Sequence, residues 1–317
     1  MKKLFLFLIL SICVLNTGFS ADLPIDKQTY IYSIKGNDTL RLDKYEIADS
    51  QTVKPCVIFV FGGGFVNGSR NDEGNVQYLT ELAKRGYAAV AIDYRLGMRS
   101  AVNMQGADPM EFVNLLGNTI SMAVEDLFDA TNYVLKHAGQ WNINKDQIIA
   151  NGSSAGAVTV LQAEYEISTG GTLSKKLPDG FNYGGIISFA GAVFSTDGDF
   201  KWEKRPAPIQ IFHGNGDSNV PYGKIEMFNM GLYGSQYIAE QLKNIESPYY
   251  FYDVNNAAHE IAGSPMRHNL PEICSFIQNY VIDKKPLMIH AAVDEIGKPE
   301  IRKNFEIMDY IKSNYIR

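Results

Sequence analysis

Six short, largely apolar runs recur along this chain: Cys56 to Phe61, Tyr87 to Asp93, Ile148 to Asn151, Gly185 to Phe189, Ile209 to Phe212 and Tyr249 to Val254. Strands that are apolar along their whole length are buried on both faces, which is the habit of parallel sheets covered by helices. Helix patterns lie between the runs. One spans Glu73 to Arg85 and is closed by Gly86, and another is carried by Leu127, Ala130, Thr131, Val134 and Leu135. Ahead of them, residues 29–34 and 39–47 alternate polar and apolar side chains around Lys35-Gly36-Asn37-Asp38, the pattern of a hairpin. The class is therefore α/β, a mostly parallel central sheet with helices on both faces. Ligands of such a sheet belong at the carboxyl ends of its strands.

The N-terminus stands apart from this pattern. Lys2 and Lys3 precede an apolar run from Leu4 to Leu15, and Gly18-Phe19-Ser20 offers the small residues a signal peptidase reads before Ala21. Residues 1–20 are thus expected to be a signal peptide, sending the product to the periplasm or the medium. The run is too short to span a bilayer, so no stable membrane insertion is expected, with a membrane anchor as the alternative. Residues 21–317 are expected to form a single domain ending in a C-terminal helix, on which Ile301, Phe305, Met308 and Tyr315 recur at roughly helical spacing. Cys56 and Cys274 can either pair or stay as buried free thiols. A net charge of -6, with no concentrated basic face, excludes a nucleic-acid partner.

Chemistry enters at Gly152-Ser153-Ser154-Ala155-Gly156. This is G-x-S-x-G directly after an apolar strand and directly before a helix-compatible stretch, a context that leaves the Ser154 hydroxyl exposed on a sharp turn. Ser153 is the competing hydroxyl, but it occupies the variable position. A serine needs a base to take its proton. His259, in the small-residue loop Asn256-Ala257-Ala258-His259-Glu260 after the last apolar run, can reach Ser154; His268 is the rival base. His137 and His290 read as structural or solvated, and His213 as turn-supporting. The base in turn needs an acid to hold its tautomer. Asp217 lies in the loop after the preceding strand and completes the chain order Ser154, Asp217, His259; Asp253 is the rival acid. Gly62, Gly63 and Gly64 follow the first apolar run and can bring bare backbone close to a substrate. The amides of Gly63, Gly64 and Ala155 are the expected oxyanion donors. His259-Glu260 does not open a zinc H-E-x-x-H helix, because residue 263 is Gly263, and neither metal nor cofactor is expected.

These pieces occur together: Phe61-Gly62-Gly63-Gly64-Phe65 with Gly68, Asp93-Tyr94-Arg95-Leu96, Gly152 to Gly156, His213-Gly214-x-x-Asp217 with Val220-Pro221, and His259. In this order they resemble the serine esterases of the α/β-hydrolase superfamily, across about residues 56–260. Phe61 stands where many lipase-like bacterial esterases have histidine, and Ser153 where many have an acidic residue, which sets the chain nearer the carboxylesterase branch. The resemblance implies acyl transfer through an acyl-enzyme on Ser154, without a cofactor. With export, it implies short-chain or acyl-sugar esters of acetyl or feruloyl type, hence a small-molecule or carbohydrate ester partner. A serine peptidase of the same fold and a non-catalytic binding module are the alternatives. Residues 97–118, with Met98, Met104, Met110, Phe112, Leu115 and Leu116, and residues 168–184 are expected to be irregular and to carry substrate choice.

Overall fold

A computed structural model describes residues 24–103, 109–227 and 229–315; the leader expected over residues 1–20 and Met104 lie outside them. The chain opens on the hairpin β1 (Ile25–Lys35) and β2 (Asp38–Ile47), antiparallel across a turn in which Gly36 has φ +60°. β3 (Lys54–Val60), α1 (Glu73–Lys84) and β4 (Ala88–Ile92) follow, then the long α2 (Pro109–His137). β5 (Ile143–Ser153) runs directly into α3 (Ala155–Thr169). Next come β6 (Gly185–Phe189), β7 (Ala192–Ser195), β8 (Ile209–Gly214), β9 (Lys224–Met227), β10 (Met230–Gly234) and α4 (Ser235–Asn244). The chain closes with β11 (Tyr249–Val254), the short α5 (Pro265–His268) and α6 (Leu270–Phe276), β12 (Met288–Val293) and α7 (Ile307–Tyr315).

Nine strands form one sheet in the order β1-β2-β4-β3-β5-β6-β8-β11-β12, antiparallel from β1 to β4 and parallel from there on. Every residue of β4, β6 and β8 is buried, the polar Ser188, Gln210 and His213 included. Helices cover its two faces, α2 packing with α3 and α1 with α5. The parallel arrangement decides where chemistry can occur. β3, β5, β8 and β11 all finish at the same edge, with Val60 beside Gly152 and Gly214 beside Val254. The turns after these four strands are thereby gathered on one rim.

Three features depart from the sequence reading. Residues 109–118 are not irregular but form the first turns of α2, where Phe112, Val113, Leu116, Ile120, Ala123 and Val124 continue one buried stripe. Asn114, Gly117 and Asn118 on the other side of this helix concealed the pattern. Gly117 lies so close to Phe194 that a Cβ would sit 2.7 Å from the ring. A separate three-stranded sheet, β7-β10-β9, and the mostly exposed edge strand β12 were missed, being short or lacking a continuous apolar run. Cys56 and Cys274 are both free; burial pushes the Cys56 thiol up to about 12, which leaves it protonated. Among the described residues no helix is long and apolar enough to cross a membrane.

Helix α3 carries an ionisable group with a measurable consequence. Glu164 is fully buried; its Oε1 accepts from the Ala207 amide at 2.7 Å and from Asn182 Nδ2 at 3.2 Å, while its Oε2 has no partner. Burial pushes its carboxyl from 4.5 up to about 7, against the lesser opposing effect of those two hydrogen bonds. Between these two pH values the folded chain keeps the proton and the unfolded chain releases it. Stability therefore falls as pH rises through that window, by roughly 3 kcal/mol at about 1.4 kcal/mol per pKa unit. The expected result is a urea midpoint that drops from pH 5 to pH 8 in the parent and stays nearly level in Glu164→Gln. Equal slopes in the two proteins would show that Glu164 is not the group responsible.

Candidate active site

The elbow begins with glycines that nothing larger could replace. A Cβ on Gly152 would lie 2.2 Å from the carbonyl oxygen of Gly156, and one on Gly156 would lie 2.0 Å from that of Val60. The close contact between β5, α3 and β3 thus needs both, and it forces Ser154 into φ 52°, ψ -118°. A non-glycine residue in that region costs of order 1–3 kcal/mol and is held there only by its surroundings. Here the hold includes the Ser154 amide, which donates to Phe189 O at 2.9 Å, and the Val158 amide, which donates to Ser154 O at 2.9 Å. Ser153 points elsewhere, its hydroxyl donating to Ala262 O at 2.7 Å.

Ser154 Oγ lies 2.9 Å from His259 Nε2, and His259 Nδ1 lies 2.7 Å from Asp217 Oδ2. The turns bearing the imidazole and the carboxylate are stitched together by the Gly216 amide on Ala257 O (2.9 Å), the Asn215 amide on Val254 O (3.1 Å) and the Asn256 amide on Asn215 Oδ1 (2.9 Å). Gly214 permits this approach, since a Cβ there would meet Ala257 O at 2.3 Å.

Asp217 is fully buried, and its two oxygens have different partners. Oδ1 accepts the amides of Asn219 (2.8 Å) and Val220 (3.0 Å); Oδ2 faces His259 and, at 3.3 Å, His213 Nε2. Burial works against its charge, yet the hydrogen bonds from His213 and His259 outweigh it and hold the carboxyl well below the usual carboxylate range. His213, itself fully buried with Nδ1 2.6 Å from Ser235 Oγ, is thus a second support of the carboxylate as well as of its turn. The four-residue spacing to Asp217 was the available signal. The rivals are engaged elsewhere: Asp253 accepts from Tyr222 Oη (2.8 Å) and lies 2.9 Å from His290 Nε2, and His268 is on α5 while His259 makes the bond to Ser154.

The glycine loop faces the serine. Gly63 has φ 120° and Gly64 φ 63°, and the carbonyl of Gly63 accepts the amides of Val66 (3.0 Å) and Asn67 (3.1 Å), closing a tight turn. Tyr94 holds the approach to the loop by donating to Phe61 O at 2.9 Å. Gly63 and Gly64 line the same cavity of about 440 Å³ as Ser154 and His259, while Ala155 sits behind Ser154 in the first turn of α3, where amides point outward at a positive helix end.

Two expectations about the rim need correcting. Among the described residues of segments 97–118 and 168–184, none lines this cavity. Its remaining walls come from Val66, Asn67, Asn219, Ala262 and Gly263, and from Ser313, Asn314 and Tyr315 of α7. The helical spacing of the tail was legible, but nothing in it announced where the helix would dock.

A strained serine on a strand-to-helix turn, a histidine and a buried aspartate after later parallel strands, and a glycine loop beside them are the constellation of a serine hydrolase set on an α/β-hydrolase fold. Residues 42–166 match the family model BD-FAE, a family of α/β-hydrolase-type esterases. Among solved structures, the apo form of Thermogutta terrifontis esterase 2 superposes with a TM-score of 0.58 at 21% identity, covering 85% of this chain and 98% of that one. Its propionate-bound form gives 0.56 at 22%, covering 83% and 96%. Esterase B from Lactobacillus rhamnosis gives 0.57 at 15%, covering 82% and 87%. Identities this low establish the shared fold. No curated protein sequence matches the chain.

Proposed function

We propose that the chain is an exported serine carboxylesterase, periplasmic or secreted, that hydrolyses short-chain or acyl-sugar esters of acetyl or feruloyl type through an acyl-enzyme on Ser154. The observation that carries this reading is the continuous chain Ser154 Oγ, His259 Nε2, His259 Nδ1, Asp217 Oδ2, with bonds of 2.9 and 2.7 Å. With the Nδ1 proton on Asp217, the Nε2 lone pair faces the serine hydroxyl and takes its proton as Oγ attacks the ester carbonyl. The amides of Gly63, Gly64 and Ala155 receive the oxyanion, a service worth about 3–4 kcal/mol per donor in comparable sites. The imidazolium then protonates the departing alcohol. Water, activated by the same nitrogen, releases the acid and restores Ser154.

The cavity lining supports the substrate class. Apart from His259 the described residues that line it include no aspartate, glutamate, lysine or arginine, and Asn67, Asn219, Ser313 and Asn314 offer amides and a hydroxyl that suit a neutral, hydroxylated alcohol. The propionate bound to the Thermogutta enzyme is in keeping with a short acyl group. Export rests on the leader at residues 1–20.

A panel of acetylated and feruloylated sugars, p-nitrophenyl acetate, p-nitrophenyl decanoate and a matched amide tests the reading. The expected result is at least about tenfold higher kcat/KM for an acetyl or feruloyl ester than for the decanoate, each discrimination reporting roughly 1–3 kcal/mol of pocket contacts. Preference for the decanoate would overturn the substrate class, and faster release from the amide would favour a peptidase. The mass of the protein recovered outside the cytoplasm should begin at Ala21.

A further inference from the structure

The C-terminal helix does more than cover the domain. Packing holds it against α2: the Phe112 ring lies 5.0 Å from that of Tyr315 and 6.5 Å from that of Tyr310. Yet its last residues also direct polar groups at two of the catalytic turns. Asn314 Nδ2 donates to Asn219 O at 2.9 Å, beside the amides that hold Asp217, and Ser313 Oγ lies 3.4 Å from Ser218 Oγ. The hydroxyl of Tyr315, a residue only 6% exposed, donates to Gly64 O at 3.3 Å. Burial, its largest influence, raises the Tyr315 pKa well above the ordinary value, so this hydroxyl remains a donor.

The target of that bond belongs to the glycine loop of the site. Gly63 and Gly64 have no side chains to limit their backbone, and a Cβ on Gly64 would meet nothing within 4 Å. Glycines have the largest backbone freedom of any residue, and while Gly63 is held within the loop by the Val66 and Asn67 amides on its carbonyl, Gly64 depends on a hold from outside to keep its amide aimed. The carbonyl of Gly64 is where such a hold fixes the peptide that follows the Gly64 amide.

We propose that Tyr315 is a positioning residue of the esterase, its hydroxyl pinning the oxyanion loop through Gly64 O, and that α7 is thereby a working part of the active site. This deepens the esterase reading and rests on it. Tyr315→Phe keeps the ring contacts to Phe112 and Tyr310 and removes the hydroxyl, with its bond to Gly64 O and its hydrogen bond to Tyr310. The expected result is a kcat on p-nitrophenyl acetate lower by about tenfold with KM unchanged, the signature of a contact that matters in the transition state. Hydrogen exchange of the amides from Gly63 to Val66 is expected to speed up by a similar factor. A role in packing alone would leave both readouts at the parent's values, because phenylalanine keeps the ring. Loop exchange and kcat within twofold of the parent would overturn the proposal. If the parent hydrolyses no ester, the esterase reading fails by itself, and the exchange measurement still decides whether Tyr315 holds the loop.

Discussion

Ser154→Ala is expected to lower kcat on p-nitrophenyl acetate by about 10⁵- to 10⁶-fold while the protein stays folded. The substitution removes one oxygen. Its bond to His259 Nε2 is the one shown for that hydroxyl, and His259 is 26% exposed, so water can satisfy the nitrogen left behind. The stability change should then be about 1 kcal/mol, the net worth of an ordinary hydrogen bond. Alanine is no worse than serine at φ 52°, since both carry a Cβ. What remains is the cavity and its oxyanion donors, which stabilise a transition state but supply no nucleophile. The test is kcat/KM for the two purified proteins together with their urea midpoints. Retention of more than about a hundredth of the parent activity, with matching stability, would remove Ser154 from the role assigned to it.

The second large effect is expected from Asp217→Asn, about 10⁴-fold in kcat. The geometry dictates which way an asparagine must face. The Oδ1 position receives two backbone amides, from Asn219 and Val220, so an amide nitrogen is excluded there and must take the place of Oδ2. It then points an N–H at His259 Nδ1. That nitrogen must become the acceptor, and the proton moves to Nε2, where it faces Ser154 and cannot accept the serine proton. Shape and packing are preserved while the base is held in the wrong tautomer. KM should change little, because Asp217 does not line the cavity. Asp217→Asn combined with Ser154→Ala should be no slower than Ser154→Ala alone, since the pair acts as one unit. A single Asp217→Asn variant within tenfold of the parent would mean that His259 is oriented by some other group.

The acid and base also bear on pH. Because the folded-state pKa of Asp217 is depressed by His213 and His259, its contribution to stability is in place above the ordinary carboxylate range and is lost as pH falls toward the folded value. Glu164 acts in the opposite sense, weakening the fold as pH rises toward about 7. The two carboxylates lie in one hydrolase and differ only in their partners: four donors around one, two around the other with an orphaned oxygen.

Much of this was legible along the chain. The apolar runs gave the parallel strands because a strand buried on both faces has no polar side to show. Gly152 and Gly156 flanked Ser154 visibly because the contacts that exclude a Cβ there arise wherever a strand turns at once into a helix. The order Ser154, Asp217, His259 could be read because each residue follows its own strand closely. Other features were hidden for equally physical reasons. α2 was cut short because its exposed face carries asparagines, and β12 was missed because it is a mostly exposed edge strand whose apolar residues His290 interrupts.

The sequence alone determined the succession of strands and helices, the turn at Ser154 and the identity of the residues that end the strands, since these depend on neighbours a few positions away. Which side chains then meet was decided only in three dimensions. The pinning of Gly64 by Tyr315 joins positions 251 residues apart, and the pairing of one aspartate with two histidines needs β8 to lie beside β11. Local patterns encode backbone conformation, whereas contacts of that range depend on how the whole sheet is ordered, and no periodicity along the chain records that order.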